Sequence, residues 1–324
     1  MNSLRLHGDV LSRGDILDFA VNVWPAPRPP ALEQALIDAV RSARYPDESR
    51  ARAAIAARHE RPESEVLLLN GACEGFWLLA HSLRPRHAAV VHPSFTEPDA
   101  AFAAAGTPVT RVMREPSKWM LDPRDVPADA DIVVVGCPNN PTGNVDPPDV
   151  LRGLEQTDRL VVVDASFADF VPCDPGGDVV IRSLTKLWSL AGVRAGYLLA
   201  SAELVETLEG QRQPWSVNAA ACAALEVCVA DAQTPARVAE EVAVLRADFV
   251  QGLAMLGVKT WPSMANFLLL ELEDGERVVG ELRARGIAVR PCSSFPGLNG
   301  RHVRVAVRTG PDNRTLLAAL EDVL

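Results

Sequence analysis

The sequence predicts an α/β fold: a large, mostly parallel sheet domain followed by a smaller α+β domain at the C-terminus. Two observations carry this prediction. Between Val66 and Leu199, short apolar runs rich in β-branched residues alternate with helical patterns, the rhythm of parallel strands joined by crossover helices. From Ser216 the texture changes, and a long helical region without strand signal, Ala219 to Leu256, leads into a second, shorter alternation.

Taken in order, the predicted strands of the first part are Val66 to Leu69, Ala88 to His92, Val109 to Val112, Ile132 to Val135, Leu160 to Val163, Val179 to Ile181 and Gly196 to Leu199. Helical patterns fall at Glu74 to Leu83, Glu97 to Ala105, Val150 to Gln156 and Leu204 to Gln211. The second part reads as one long helix, then a strand at Phe267 to Glu271, a helix at Glu276 to Arg285, strands at Ile287 to Arg290 and His302 to Val307, and a helix at Asp312 to Leu324. Pro25, Pro27, Pro29 and Pro30 keep the start extended until a helix begins near Ala31. These elements divide into an N-terminal arm, 1–40, which packs on the small domain or a partner subunit, a large domain, 41–215, and a small domain, 216–324. No internal repeat or low-complexity linker interrupts them.

Composition narrows the function classes. Hydrophobic residues make up 48% and charged residues 23% of the 324, the balance of a globular protein with an ample core. No apolar run reaches the ~18–20 residues that span a bilayer. The opening MNSLRLHGDVLSRGD lacks the apolar core of an export signal, so a cytoplasmic protein is expected. Six cysteines (Cys73, Cys137, Cys173, Cys222, Cys228 and Cys292) are scattered without a CxxC pair, which fits reduced thiols and argues against disulfides or a zinc site. The histidines show no ligand spacing either, so no metal is expected. A net charge of −10 disfavours nucleic acid and anionic membranes as partners. Against that trend, Arg283, Arg285, Arg290, Arg301, Arg304, Arg308 and Arg314 crowd the C-terminal region. They are either solvated charges or include one or two that bind an anionic substrate.

Open α/β sheets place ligands beyond the carboxyl ends of their strands, and here those ends carry chemistry. Leu69 leads into Asn70-Gly71-Ala72-Cys73-Glu74 before a helix, where small residues let backbone N–H groups approach an anion. A glycine at such a place is often only a turn. Val135 leads into Gly136-Cys137-Pro138-Asn139-Asn140-Pro141-Thr142-Gly143, a rigid loop that holds an amide side chain. Val163 leads into Asp164, which is either a turn cap or a carboxylate paired with a buried cation. Ile181 leads into Arg182-Ser183-Leu184-Thr185-Lys186, with Arg194 eight positions after the lysine. A lysine among Leu, Trp and Ala normally snorkels to the surface, whereas one desolvated beside phosphate-binding groups is a good imine former.

The ordered set Asn140-Pro141-Thr142-Gly143, Asp164, Ser183-x-Thr185-Lys186 and Arg194 resembles the fold type I aminotransferases, the aspartate aminotransferase superfamily of pyridoxal phosphate (PLP) enzymes. Within it the chain looks most like the histidinol-phosphate aminotransferase branch, over nearly its whole length. The resemblance implies that Lys186 carries PLP as a Schiff base and moves the proton at the substrate's α-carbon, and that Asp164 keeps the pyridine nitrogen protonated. It implies further that Asn140 donates to the ring oxygen, that Phe95 stacks on the ring, and that the phosphate sits on Ala72 and Cys73 with Ser183, Thr185 and Arg194. Tyr45 matches a position that reaches the phosphate of a neighbouring subunit, which implies a homodimer. Arg304 and Arg290 match arginines that bind the anionic end of a substrate, and Asn22 is a further candidate for the substrate site. The chain departs from the family pattern at Ala165, where Glu is common, at Phe167, where many relatives have Tyr, and at Cys73, where a hydroxyl or carboxylate is usual.

Two reactions follow from the resemblance. The leading one is transamination between a small phosphorylated amino substrate and a 2-oxo acid. The segments Pro214-Trp215-Ser216-Val217-Asn218 and Arg290-Pro291-Cys292-Ser293-Ser294-Phe295-Pro296-Gly297-Leu298 also look like the L-threonine-O-3-phosphate decarboxylases of cobalamin synthesis. Arg308 fits there as a third anion contact, because period-two alternation puts it on the same side of its strand as Arg304. A non-catalytic PLP-binding regulator is the remaining class. Such a protein carries a DNA-binding domain ahead of this unit, and neither the acidic charge nor any helix-turn-helix pattern supports one.

Overall fold

The computed structural model describes residues 8–171 and 176–324. Cys173 lies outside the described residues, and the other five cysteines are free thiols. A short strand β1 (Leu17–Asp18) precedes helices α1 (Pro30–Arg41) and α2 (Ser49–His59). There follow β2 (Val66–Asn70), α3 (Ala72–Leu83), β3 (Ala88–His92), α4 (Glu97–Ala104), β4 (Val109–Met113) and β5 (Ile132–Gly136). Next come α5 (Pro148–Arg152), β6 (Leu160–Asp164), β7 (Val179–Ser183), β8 (Ala195–Leu199) and α6 (Ala202–Gly210). The last part holds α7 (Ala219–Ala230), α8 (Gln233–Met255), β9 (Lys259–Thr260), β10 (Phe267–Glu271) and α9 (Gly275–Ala284). It ends with β11 (Ile287–Ala288), β12 (Arg290–Pro291), β13 (His302–Ala306) and α10 (Gly310–Val323).

Seven strands form the large sheet in the order β2-β8-β7-β6-β5-β3-β4. Every pairing is parallel except those of β8, which runs against both β2 and β7. Runs such as Val161-Val162-Val163 and Val133-Val134-Val135 are buried because helices and loops cover both faces of the sheet. The small sheet, β12-β13-β10-β9, is wholly antiparallel. The arm joins this second half: β1 pairs with β11, and Phe19 exchanges backbone hydrogen bonds with Ala288 and Ala306.

Two expectations are corrected. The single long helix is two, broken at Asp231, whose carboxylate accepts from the backbone N–H groups of Gln233 and Thr234 and so caps the start of α8. The predicted strand Ile287 to Arg290 is two short pieces that pair with different partners, β11 with β1 and β12 with β13. Helix α2 was not anticipated, since its buried stripe is only Ala51, Ile55 and Ala56. One apolar cluster runs from Phe19 and Trp24 through α1, α2 and α7 to the small sheet and α10, so both sheets share a core. Among the described residues no helix is long and apolar enough to cross a membrane.

Candidate active site at the edge of the large sheet

The carboxyl ends of β2, β3, β5, β6 and β7 lie along one edge of the large sheet. Because β8 is antiparallel, it begins where its neighbours end: Ala195 sits opposite Asn70, and Gly196 opposite Ser183. Arg194, immediately before β8, is therefore delivered to the same edge as Ser183 and the start of α3. Two glycines permit this approach. A Cβ on Gly196 would stand 2.7 Å from the Ala72 nitrogen, and one on Gly71 would stand 2.3 Å from the Arg194 guanidinium. Gly71 also has φ +76°, which a side chain would disfavour.

A cavity of about 580 Å³ opens at this edge. Asn22, Ala72, Cys73, Phe95, Asn140, Ser183, Thr185, Lys186, Arg194, Arg290 and Arg304 all line it. Asp164 stands behind this lining, at the end of β6, and the two residues that follow its neighbour Ala165, Ser166 and Phe167, reach the cavity wall. Two residues are not brought there. Arg308 lies beyond the end of β13, pairs with Asp312 at 3.2 Å and donates to the Asp18 carbonyl at 2.8 Å. The strand stops at Ala306, so the alternation that aligned Arg308 with Arg304 does not extend to it. Tyr45 is 75% exposed and stacks on Trp215 with ring centroids 4.7 Å apart, away from the cavity of its own chain.

The charges in the cavity are unusual. Burial, together with the Arg304 and Arg194 guanidiniums, pushes the Lys186 ammonium down from 10.5 to about 8. Its Nζ lies 6.0 Å from the centroid of the Phe167 ring. Burial raises the Asp164 carboxyl above its ordinary value, against hydrogen bonds from Ser166. Among the described residues that carboxylate has only Ser166 as a hydrogen-bond partner, with the Ser166 N–H at 3.1 Å. Ser183 and Thr185 hydroxyls are 2.7 Å apart and buried. The first N–H groups of α3, at Ala72 and Cys73, lack partners within the helix, as at any helix start.

Arg290 and Arg304 sit directly opposite each other on β12 and β13, 3% and 6% exposed. Arg304 donates to the Asn140 side-chain oxygen and to the Ala20 carbonyl, while its Nε has no hydrogen-bond partner among the described residues. Burial pushes the Arg304 guanidinium down to about 10, with Arg290 adding to it. Arg290 donates to Ser294 Oγ at 2.8 Å and lies over the Phe295 ring. The donors of Arg304 fix the Asn140 amide: its oxygen faces the arginine, so its nitrogen remains to donate. Asn22 is 2% exposed, and its side-chain oxygen has no partner among the described residues.

Sequence reasoning did not assign several lining residues to the site, Asp9, Thr96, Glu97 and Phe295 among them. Asp9, from the arm, carried no local signal. Thr96 and Glu97 begin α4 directly after Phe95, and Glu97 accepts from Trp77 Nε1 at 3.1 Å and from Cys73 Sγ at 3.6 Å. Burial, with that carboxylate, pushes the Cys73 thiol up to about 12. Phe295 belongs to a segment singled out above for a different reason.

The residues present fit a phosphorylated pyridine aldehyde. There is one amine of lowered basicity, a buried carboxyl with no ion pair among the described residues, an amide donor fixed by Arg304, and a group of anion donors at a helix start. Among the described residues no group of His, Cys, Asp and Glu is placed to hold a metal ion.

The chain is similar to known proteins over nearly its whole length. Residues 14–323 match the model of the family described as aminotransferase class I and II. The chain is 42% identical to a histidinol-phosphate aminotransferase of Mycobacterium tuberculosis, covering 98% of this chain and 90% of that one. It is 34% identical to a threonine-phosphate decarboxylase of Salmonella typhimurium, covering 97% and 93%. The crystal structure of histidinol-phosphate aminotransferase from Clostridium acetobutylicum superposes with a TM-score of 0.88 at 25% identity, covering 95% of this chain and 99% of that one.

Proposed function

Since the chain belongs to the class I and II aminotransferase family, we propose that it is a PLP-dependent enzyme that moves an amino group between a small phosphorylated substrate and a 2-oxo acid. The observation that carries this is the shared cavity, which Lys186, with its lowered basicity, lines together with the buried Arg290–Arg304 pair. The chain is divided, in this proposal, into an arm (1–40), a large unit (41–215) and a small unit (216–324), and the site draws on all three.

When bound, PLP supplies an electron-accepting ring that loosens a bond at the substrate's α-carbon. Ala72, Cys73, Ser183, Thr185 and Arg194 would hold its phosphate, Asp164 its ring nitrogen, Asn140 its ring oxygen and Phe95 a ring face. Lys186 is the proton carrier at the α-carbon, since an amine titrating near 8 is available in both forms close to neutrality. Arg290 and Arg304 orient the anionic end of the substrate and so set which α-bond faces the reactive side, with Asn22 beside them. Tyr45 is proposed to complete the phosphate site of a second copy, as its exposure away from its own cavity allows.

The second reading, phosphothreonine decarboxylation, is favoured by the Arg290–Arg304 pair itself. Two guanidiniums suit a substrate with both a carboxylate and a phosphate. Purified protein given histidinol phosphate and 2-oxoglutarate should form glutamate, and given threonine phosphate should release no CO2. CO2 release without glutamate would replace the first reading by the second. In the same assays Arg304→Ala and Arg290→Ala should each lower kcat/KM for the phosphorylated substrate by roughly 30- to 1000-fold, equivalent to ~2–4 kcal/mol for a lost charge-assisted contact in a dry site. The dephosphorylated counterpart, a poor substrate throughout, should suffer much less. Equal losses for both would show that the arginines do not read the phosphate.

The lowered Lys186 value has its own test. In cofactor-free protein, capture of added PLP should speed up with pH and reach half its maximum near 8. A midpoint above about 9.5, near an ordinary lysine, would contradict the lowered value. The stability sign follows from the same shift. The unfolded chain binds more protons than the folded one between about 8 and 10.5, so the free protein gains stability as pH rises through that window.

A further inference from the structure

The loop from Gly136 to Pro147 carries Asn140, and a buried ion pair that does not line the cavity touches both of its ends. Arg114 follows β4. Its Nη1 and Nη2 each donate to one oxygen of Asp146 at 2.7 Å, and both side chains are fully buried. The same guanidinium donates to the Gly136 carbonyl at 3.4 Å and to the Trp119 carbonyl at 3.2 Å. One planar fork therefore ties the first residue of the loop to a residue near its end, a geometry that a lysine could not reproduce. Within the loop, Asn139 donates to the Pro93 carbonyl at 2.8 Å and to Thr142 Oγ1 at 2.7 Å, and Gly143 N–H donates to the Asn139 carbonyl at 2.6 Å. Asn140 sits within these ties, its amide oxygen taken by Arg304.

We propose that the Arg114–Asp146 pair is a positioning device that sets the height of Asn140 over the cavity, and so the strength of its donation to the cofactor's ring oxygen. This rests on the role given to Asn140 above. A buried ion pair adds little to stability over apolar residues of similar volume, so its presence here is better explained by the geometry it imposes. Neither residue touches the cavity, and both act through Asn140.

The test uses holoenzyme and the visible band of bound PLP, titrated with pH. Asn140→Ala should raise the titration midpoint by about one unit or more, because a donor that favours the ionised ring oxygen is gone. The double variant Arg114→Met with Asp146→Leu removes the pair without leaving a lone buried charge. It should move the midpoint in the same direction and lower kcat by about 10- to 100-fold. The affinity for PLP held through its phosphate should change little. Combining Asn140→Ala with the double variant should give the same midpoint as Asn140→Ala alone, as expected for residues acting through one contact. Asp146→Asn, nearly isosteric, should give a smaller shift of the same sign. A folded double variant with the wild-type midpoint and kcat overturns the proposal. If Asn140→Ala itself leaves the midpoint in place, the role of Asn140 is wrong and the proposal falls with it. If neither pair variant folds, the pair is a folding element and the positioning claim fails.

Discussion

Lys186→Ala should lower turnover by at least about 10⁴-fold, the upper range for a proton carrier, and should abolish the visible band that borohydride bleaches. The loss is expected to be this large because the cavity offers no second amine among the described residues: the other cations that line it, Arg194, Arg290 and Arg304, are guanidiniums that do not give up a proton near neutrality. Retention of some PLP through Ala72, Cys73, Ser183, Thr185 and Arg194 is expected and is measured by equilibrium dialysis. The same variant tests the second copy. Mixed with an inactive Tyr45→Ala protein, it should recover part of the activity, because a hybrid dimer contains one site with both groups intact. Wild-type turnover in Lys186→Ala would end the assignment of this lysine, and absence of recovery would end that of Tyr45.

Asp164→Asn should separate function from stability. The carboxyl is raised above its ordinary value by burial and has no cation bonded to it among the described residues. A folded-state value above the unfolded one means that the folded chain binds the extra proton. Stability then falls as pH rises through the window between the two values, and the charged form at neutrality is a cost. The amide removes that cost, so cofactor-free Asp164→Asn should melt higher than wild type at pH 7. The opposite holds with cofactor. A charge-assisted hydrogen bond to the ring nitrogen, worth ~1.5–3 kcal/mol, is lost, and turnover should fall by about 10²-fold or more because the ring accepts electrons less well. A variant that melts lower in the free state, yet turns over normally, would make Asp164 only a turn cap.

Much of this site is legible in the sequence because strand ends are local. Asp164 ends a run of valines, Asn140 sits in a loop bounded by prolines, and Ser183 to Lys186 follow directly on β7; each is found by reading outward from a strand. What could not be read is what arrives from elsewhere. Asp9 comes from an arm without periodicity, and the assignment of Arg290 and Arg304 to one rung depends on the pairing of β12 with β13. Arg308 was misplaced because alternation was carried past the last paired residue of β13, where the chain turns toward α10. The break at Asp231 was hidden by the apolar, alanine-rich composition of α7, which hides the end of one helix and the start of the next. The Arg114–Asp146 pair had no sequence signal, since its partners lie on different connections.

The reversed direction of β8 also bears on how the chain is made. Among the described residues, strand β2, Val66-Leu67-Leu68-Leu69-Asn70, pairs with β8 alone, and its four apolar residues are fully buried in the finished protein. At synthesis rates of ~5–20 residues per second, this segment waits roughly ten seconds for its only partner to leave the ribosome. During that interval an apolar strand with both edges open is a template for aggregation. The nascent chain thus carries β2 unpaired until β8 is available, and the arrival of that one strand both joins β2 to the sheet and brings Arg194 to the candidate site.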